Sequence, residues 1–202
     1  MEIKMKSNAC VIKRGGAGLE SILAEVEKVA EYNRLPQKET LRLRLLAEEL
    51  VGMLPELVKN FEGVFWVLSE GNAYELHTEL FVDTLSREKK QALIAVSASN
   101  KNAAAVGFMG KIRDIAQNML LYSEDPCSNA VFGNYLGEDN KVSFNYTHAW
   151  TLEYYLAQQK EELESDAEEW DRLEKSIVAK LADDVIVGVR GQKVEIIIKK
   201  AF

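Results

Sequence analysis

The sequence predicts an α+β fold, a two-layer α/β sandwich in which helices cover one face of a mixed or antiparallel sheet. Two observations predict it. Two segments near the N-terminus carry apolar residues at helical spacing, and two other segments alternate apolar and polar residues around a short turn. Because amphipathic helices need an apolar surface to cover, both patterns are satisfied when the helices lie against a sheet made of hairpins.

The N-terminal part is predicted to be a strand followed by two helices. Residues 3–13 alternate loosely and form the strand, which Gly15–Gly18 breaks. This glycine run is typical of a flexible turn. The alternative is a phosphate cradle, although the Lys-Ser/Thr ending of a P-loop is missing. The first helix has one apolar stripe, formed by Leu19, Ile22, Leu23, Val26, Val29 and Ala30.

The second helix follows Asn33–Pro36, the segment that ends the first helix. Pro36 suits a first helical turn because no backbone N–H is needed there. Pro55 should kink or shorten the helix. The apolar face of this helix consists of Leu43, Leu46, Leu50, Met53, Leu54 and Leu57.

The first hairpin has strand-forming residues at 64–68, a turn at Glu70–Asn72 and alternation from Tyr74 to Leu80. The alternation predicts one buried face and one solvated face. His77 falls on the polar face, so we expect no catalytic role for it.

The rest of the chain is predicted to hold helices, a loop-rich segment and a closing hairpin. Residues 84–96 have a helical pattern, and a charged helix is expected over about 148–182. Residues 123–164 are predicted to be an insertion within a single domain that spans 1–202. The closing hairpin alternates over 185–198 around a Gly-Gln turn.

Composition restricts the class of protein. The chain has 202 residues, of which 47% are hydrophobic and 28% charged, enough for a globular domain with its own core. The net charge of -7 argues against nucleic acid as a partner, because phosphate backbones require clustered Lys and Arg. Met1–Lys6 does not resemble a signal peptide, and no apolar run approaches the ~20 residues of a membrane span. We therefore expect a cytoplasmic protein without a membrane partner.

The cysteines and histidines favour no metal centre or catalytic triad. Cys10 and Cys127 are the only cysteines, which is typical of a reducing compartment, and neither lies in a CxxC pair. No HExxH motif or Ser-His-Asp spacing is present. A hydrolase using Cys127 and His148 is the remaining alternative, although nothing near the thiol in sequence activates it.

Three segments resemble the GHKL ATPase superfamily, which includes gyrase, a heat-shock chaperone, histidine kinases and a mismatch-repair protein. Leu41–Met53 resembles the N-box helix, in which a Glu is followed four residues later by an Asn. Val82-Asp83 stands where the family places the Asp of its Asp-x-Gly-x-Gly box. Asp183–Val185 and Lys199-Lys200 are similar to the C-terminal end of the family. The closest likeness is to small bacterial anti-sigma-factor kinases.

This resemblance implies a GHKL-type, or Bergerat-type, sandwich with an ATP or ADP site. Glu49 would be the base that orients the attacking water, and Asp83 would accept a hydrogen bond from the adenine amino group. Met53 stands where the family has its Mg²⁺-ligating Asn, and a thioether is a poor ligand for a hard cation. Leu85 replaces a glycine that lets the backbone approach the ring. The resemblance therefore implies nucleotide binding with weak or absent hydrolysis.

Residues 97–110 and the helix after them resemble the ATP lid of the family. Backbone N–H groups at a helix N-terminus attract anions, and glycine lets the anion come close. The alternative is a mobile polar loop that caps an ordinary helix. The residues implied for nucleotide binding here are Asn100, Lys101, Asn102, Gly107, Gly110 and Lys111.

Two functions stay open at this point. The first is an ATP- or ADP-binding regulatory module of the anti-sigma-factor-kinase kind. The second is an interaction module without nucleotide, which binds a regulatory protein partner or a second copy of itself. In isolation, Glu49 is typical of the exposed edge of a helix, and Asp83 is typical of a turn or cap.

The tryptophans also allow two interpretations. Trp66, Trp150 and Trp170 are typical of core anchors. Within the helix expected over 148–182, however, Trp150 and the tyrosines beside it would present a docking face.

Overall fold

A computed structural model of the chain describes residues 4–13, 18–57, 61–82, 148–153, 177–190 and 192–202. Within these ranges there are three helices and seven strands. The helices are α1 (Leu19–Tyr32), α2 (Gln37–Leu57) and α3 (Ile177–Leu181). The strands are β1 (Lys4–Lys6), β2 (Cys10–Lys13), β3 (Phe61–Glu70), β4 (Ala73–Val82), β5 (His148–Thr151), β6 (Asp184–Arg190) and β7 (Lys193–Ala201).

The seven strands form one sheet. Its order is β1–β3–β4–β7–β6–β5, and β2 also pairs with β3. Every described pairing is antiparallel. The α+β class is therefore confirmed, and the architecture is compatible with a two-layer α/β fold.

One face of the sheet carries the hydrophobic core. The inward side chains of the strands and the buried side chains of the helices belong to a single apolar cluster. The stripe predicted for α1 supplies Ile22, Leu23, Val26 and Val29 to this cluster. We call the opposite side of the sheet, away from α1 and α2, the second face.

A glycine sets the start of α1. Gly18 has φ +110°, a left-handed conformation that residues with a Cβ rarely adopt. A Cβ at this position would also collide with the carbonyl oxygen of Val11 on β2. The chain can therefore turn tightly from the sheet into the helix only with a glycine here.

The strand predicted over residues 3–13 is two short strands separated at residues 7–9. At this break, Ser7 forms the hydrogen bonds to β3 that a continuous strand would form. Its N–H donates to the carbonyl oxygen of Val67 at 2.9 Å, and its Oγ accepts from the N–H of Val67 at 2.9 Å. The break shortens an edge of the sheet, which limits unwanted pairing with other chains.

Both predicted hairpins are confirmed. β3 and β4 pair in full around Gly71-Asn72, and β6 pairs with β7 from end to end. The second predicted helix is also present, although α2 continues through Pro55 and ends two residues later at Leu57. Near a helix C-terminus a proline removes few helical hydrogen bonds, so it can be accommodated there.

The helix expected from about His148 is wrong at its start. Residues 148–151 form β5, which pairs with β6 at one edge of the sheet. Trp150 is buried in the core, so it is a core anchor and not part of a docking face. Pairing with a neighbouring strand outweighs local helical preference in such a short segment. The residues predicted as helices or loops over 83–147 and 154–176 lie outside the described residues.

Candidate functional site

Of the residues predicted for a nucleotide site, the structure describes Glu49. It lies on α2 and is half-buried, four residues after the exposed Leu45 and therefore on the same side of the helix. The side chain of Met53 and all of Leu85 lie outside the described part of the chain. The other predicted residues also lie outside it, namely Asp83, Asn100, Lys101, Asn102, Gly107, Gly110 and Lys111.

The second face of the sheet carries a row of side chains that crosses five strands. Register places these residues side by side in the order Trp66, His77, Ile197, Ile186 and Thr151. Trp66 is half-buried, whereas the other four are buried. This part of the second face is therefore not an ordinary solvated surface.

His77 corrects the expectation drawn from alternation. It does lie on the face opposite the core, as the pattern predicts, but it is only 7% exposed. Alternation assigns a side chain to one face of a strand, but it cannot say how far neighbouring side chains cover that face. Here the indole of Trp66 covers one side of the imidazole, with ring centroids 5.0 Å apart and planes 11° from parallel.

The imidazole of His77 lies between two carboxylates. Its Nδ1 is 3.2 Å from Oε1 of Glu195, and its Nε2 is 3.0 Å from Oε2 of Glu75. An ionised carboxylate can only accept hydrogen bonds, so both ring nitrogens must donate. The geometry therefore favours the doubly protonated, positively charged ring.

Electrostatics agree with this assignment. Burial alone lowers the pKa of His77, but the hydrogen bonds and charges of Glu195 and Glu75 outweigh burial and raise the pKa above its ordinary value. The hydrogen bond from His77 in turn lowers the pKa of Glu75, against the opposing effect of burial. Each group thus stabilises the charged form of the other.

A lysine extends this arrangement. The Nζ of Lys6 lies 4.4 Å from the centroid of the Trp66 ring, a cation–π distance. The indole therefore contacts two cationic groups, Lys6 and the imidazolium. We call the five side chains of Lys6, Trp66, Glu75, His77 and Glu195 the His77 cluster.

The charges beside the cluster are balanced in pairs. Glu79 stands directly opposite Glu195 on the second face, an arrangement in which two like charges repel. Lys193 forms an ion pair with Glu79 at 2.6 Å, and His77 forms one with Glu195. Glu79 therefore has its own cation, whereas Glu195 shares the imidazolium of His77 with Glu75.

A second buried acid lies at the far edge of this face. The Oδ1 of Asp184 accepts the N–H of Glu153 at 3.1 Å and that of Val185 at 2.9 Å. Burial raises the pKa of the Asp184 carboxyl, and these two N–H groups oppose the rise. Asp184 therefore fastens the chain just after β5 to the start of β6.

Comparison with known proteins adds no relative. No protein-family model, curated protein or solved structure matches this chain. Within the part of the chain that the structure describes, there is no group of three or more His, Cys, Asp or Glu side chains able to hold a metal ion. Among the same residues, no helix is both long and apolar enough to cross a bilayer.

The chemistry open to the His77 cluster follows from its hydrogen bonds. Because both ring nitrogens are engaged, His77 has no free nitrogen with which to act as a base. The cluster holds a proton and connects four strands, β1, β3, β4 and β7, on the second face. It is a structural, pH-sensitive element and not a nucleophilic centre.

The pairing of Trp66 with His77 can be predicted from the sequence. Trp66 lies five residues before Gly71 and His77 five residues after Asn72, so a hairpin closed at that turn pairs them. The contact of His77 with Glu195 has no local sequence signal, because the two residues are 118 positions apart and meet only through the pairing of β4 with β7.

Proposed function

We propose that this chain is a regulatory protein that acts by binding a protein partner, through the second face of its sheet beside β2. One observation carries this proposal: Val11 on β2 and Phe81 on β4 are each 57% exposed. Both residues lie on the second face, on the two strands that flank β3, and exposed apolar surface of this kind binds other proteins. Apolar surface of this kind favours a partner that presents apolar side chains of its own.

The surroundings of these residues support a binding surface. Val11 stands directly opposite the half-buried Val64, which extends the apolar area onto β3. The exposed ion pair of Lys13 with Glu62, at 3.9 Å, lies on the same face. Glu62 stands directly opposite Phe81, so the area combines charged and apolar side chains, as protein–protein interfaces commonly do.

The proposal predicts that binding is lost when the exposed side chains of Val11 and Phe81 are made polar. A partner captured by the purified chain is identified and titrated against the wild type and the double variant Val11→Ser, Phe81→Ser. We expect at least about a tenfold weaker affinity for the variant, because exposed aromatic anchors dominate binding energy. Tyr32→Ser is the matched control, since Tyr32 is an exposed aromatic on the helical side. Unchanged affinity in the double variant refutes the proposal.

We propose nucleotide binding as a second candidate function, on the strength of the GHKL resemblance. One structural observation favours it: Glu49 stays out of the core and is only half-buried, although α2 is otherwise packed by leucines on its inner side. A carboxylate in this position is available to a ligand. Because Met53 replaces the metal-ligating Asn of the family, its side chain does not fit Mg²⁺, and we assign no step to a metal.

Calorimetry with ATP and with ADP, each with and without Mg²⁺, tests this second function. We expect a heat of binding at about millimolar nucleotide and little dependence on Mg²⁺. Glu49→Gln should keep the binding, since a water-orienting base acts on hydrolysis and not on affinity. Absence of heat at this concentration rejects the nucleotide site and leaves the first proposal untouched.

A further inference from the structure

The outward side of α2 forms a stripe that the core does not use. Leu41 is 52% exposed and Leu45 is 40% exposed, while Glu48 and Gly52 are also exposed. These four residues follow one another at spacings of four, three and four, which keeps them on one side of a helix. A leucine pair at this spacing on the solvent side of a helix is the pattern of a helix–helix seam.

Charged residues of opposite sign flank the two halves of this stripe. Lys38 and Arg42 lie in the N-terminal half of α2, and Glu48 and Glu49 lie in the C-terminal half. Within the described residues, none of these four side chains forms an ion pair.

A second copy of the helix, running antiparallel, would supply ion-pair partners for these side chains. We propose that the stripe of Leu41, Leu45, Glu48 and Gly52 is the contact of an antiparallel homodimer, with Leu45 on its twofold axis. Arg42 lies three residues before Leu45 and Glu48 three residues after it. In an antiparallel pair each Arg42 therefore faces the Glu48 of the other copy, and twofold symmetry makes this ion pair twice.

One further pair of positions agrees with this register. Lys38 lies seven residues before Leu45 and Gly52 seven residues after it, so they also face each other. A Cβ added at Gly52 would meet nothing within 4 Å, which leaves room for the long stem of a lysine. A parallel pair, by contrast, would place Arg42 against Arg42 and Glu48 against Glu48. The charge pattern therefore selects a second copy in antiparallel orientation.

Sedimentation velocity of the full chain over a concentration series tests the dimer. A single helix pair is at the small end of interface size, so we expect a Kd on the order of micromolar. Leu45→Glu places two carboxylates on the axis and should make the protein monomeric. Tyr32→Glu, the same change at an exposed aromatic of α1, should leave the dimer intact. A wild type that is monomeric throughout, or a dimer that survives Leu45→Glu, overturns the proposal.

Charge reversal tests the facing pair. Arg42→Glu alone and Glu48→Arg alone should each raise the Kd at least about tenfold, because each places like charges together. The double variant Arg42→Glu, Glu48→Arg restores opposite charges and should recover most of the affinity. Failure of the double variant to recover, with thermal unfolding curves like those of the wild type, rules out this pairing.

Cross-linking tests the register. In a Cys127→Ser background, Leu45→Cys should form an intermolecular disulfide on oxidation, since residue 45 meets itself on the axis. Leu41→Cys should not, because residue 41 faces residue 49 of the other copy. Cross-linking at both positions would show a parallel pair and overturn the antiparallel arrangement. Cys10 is buried and serves as an internal check on background oxidation.

Discussion

At the scale of single residues, the core contains a polar group without a partner. Thr78 is fully buried on the core face of β4, between Phe65 on β3 and Ile196 on β7. Within the described part of the chain, its Oγ1 is the buried side-chain oxygen that forms no hydrogen bond. Burying a hydroxyl without a hydrogen bond costs free energy that a methyl group in its place would not.

Thr78→Val should therefore stabilise the protein. The substitution keeps the shape of the side chain and replaces the unpaired hydroxyl, so we expect the free energy of unfolding to rise by about 1 kcal/mol. Urea unfolding checks it, as a higher midpoint with an unchanged slope. Thr78→Ser is the control, because it keeps the hydroxyl, loses the methyl and should be less stable than the wild type. A Val variant less stable than the wild type would show that the hydroxyl has a partner.

Also at this scale, the outcome for Glu49 and His77 shows what a residue pattern can predict. Glu49, whose residue type is typical of an exposed helix edge, is half-buried on α2, and alternation correctly predicts His77 on the face opposite the core. Neither pattern reports burial, which depends on neighbours brought in by other strands. The charged form of His77 is stabilised by Glu195, a residue of the last strand.

At the scale of elements, the broken edge strand depends on one side chain. Ser7 supplies to Val67 the hydrogen-bond acceptor that a continuous strand would supply from its backbone. Ser7→Ala leaves the N–H of Val67 without this partner and should destabilise the protein by about 1 kcal/mol. The backbone bond from the N–H of Ser7 remains, so the loss should be local.

Hydrogen exchange measures this directly. The amide of Val67 should exchange faster in Ser7→Ala, while amides in the middle of β7 should change only as much as the global stability does. Ser7→Thr keeps the hydroxyl and should preserve the protection of Val67. Equal protection of Val67 in the Ala variant and the wild type would mean that the hydroxyl contributes nothing to this edge.

Elements defined by a local period could be predicted, and elements defined by distant pairing could not. Both hairpins, α1 and α2 follow from spacing within the segment itself. The strand character of residues 148–151 depends on pairing with β6, more than thirty residues later in the chain. Likewise, no local sequence pattern predicts that β4 and β7 lie next to each other at the centre of the sheet.

At the scale of the whole molecule, the sheet is buried on both sides near β6. Ile186 and Ile197 are 1% and 5% exposed, yet they lie outside the apolar cluster that the helices cover. The sequence does carry a signal of this, because β6 and β7 contain near-continuous apolar runs, whereas β4 alternates. Continuous apolar runs are typical of strands that are buried on both faces. The His77 cluster lies where this buried area meets the more open side of the sheet.

The stability of the molecule should consequently depend on pH through His77. Its pKa is raised in the folded state by Glu195 and Glu75, relative to about 6.5 in an unfolded chain. Below the unfolded value both states are protonated and the stabilisation is complete. As the pH rises through the folded pKa, the imidazolium loses its proton and the stabilisation from the two carboxylates disappears. The free energy of unfolding should therefore fall as the pH increases from about 6.5.

Urea unfolding of the wild type and of His77→Gln between about pH 5.5 and pH 8 isolates this effect. The glutamine cannot become charged, so the difference between the two proteins should be largest at low pH and shrink as the pH rises. The upper end of the pH range is restricted because of Cys10. Burial raises the pKa of its thiol, so ionisation of this thiol in the unfolded chain lowers the stability of both proteins at more alkaline pH. A difference that stays constant across this range would mean that His77 carries the same charge in the folded and unfolded states, and that the two carboxylates do not hold its proton.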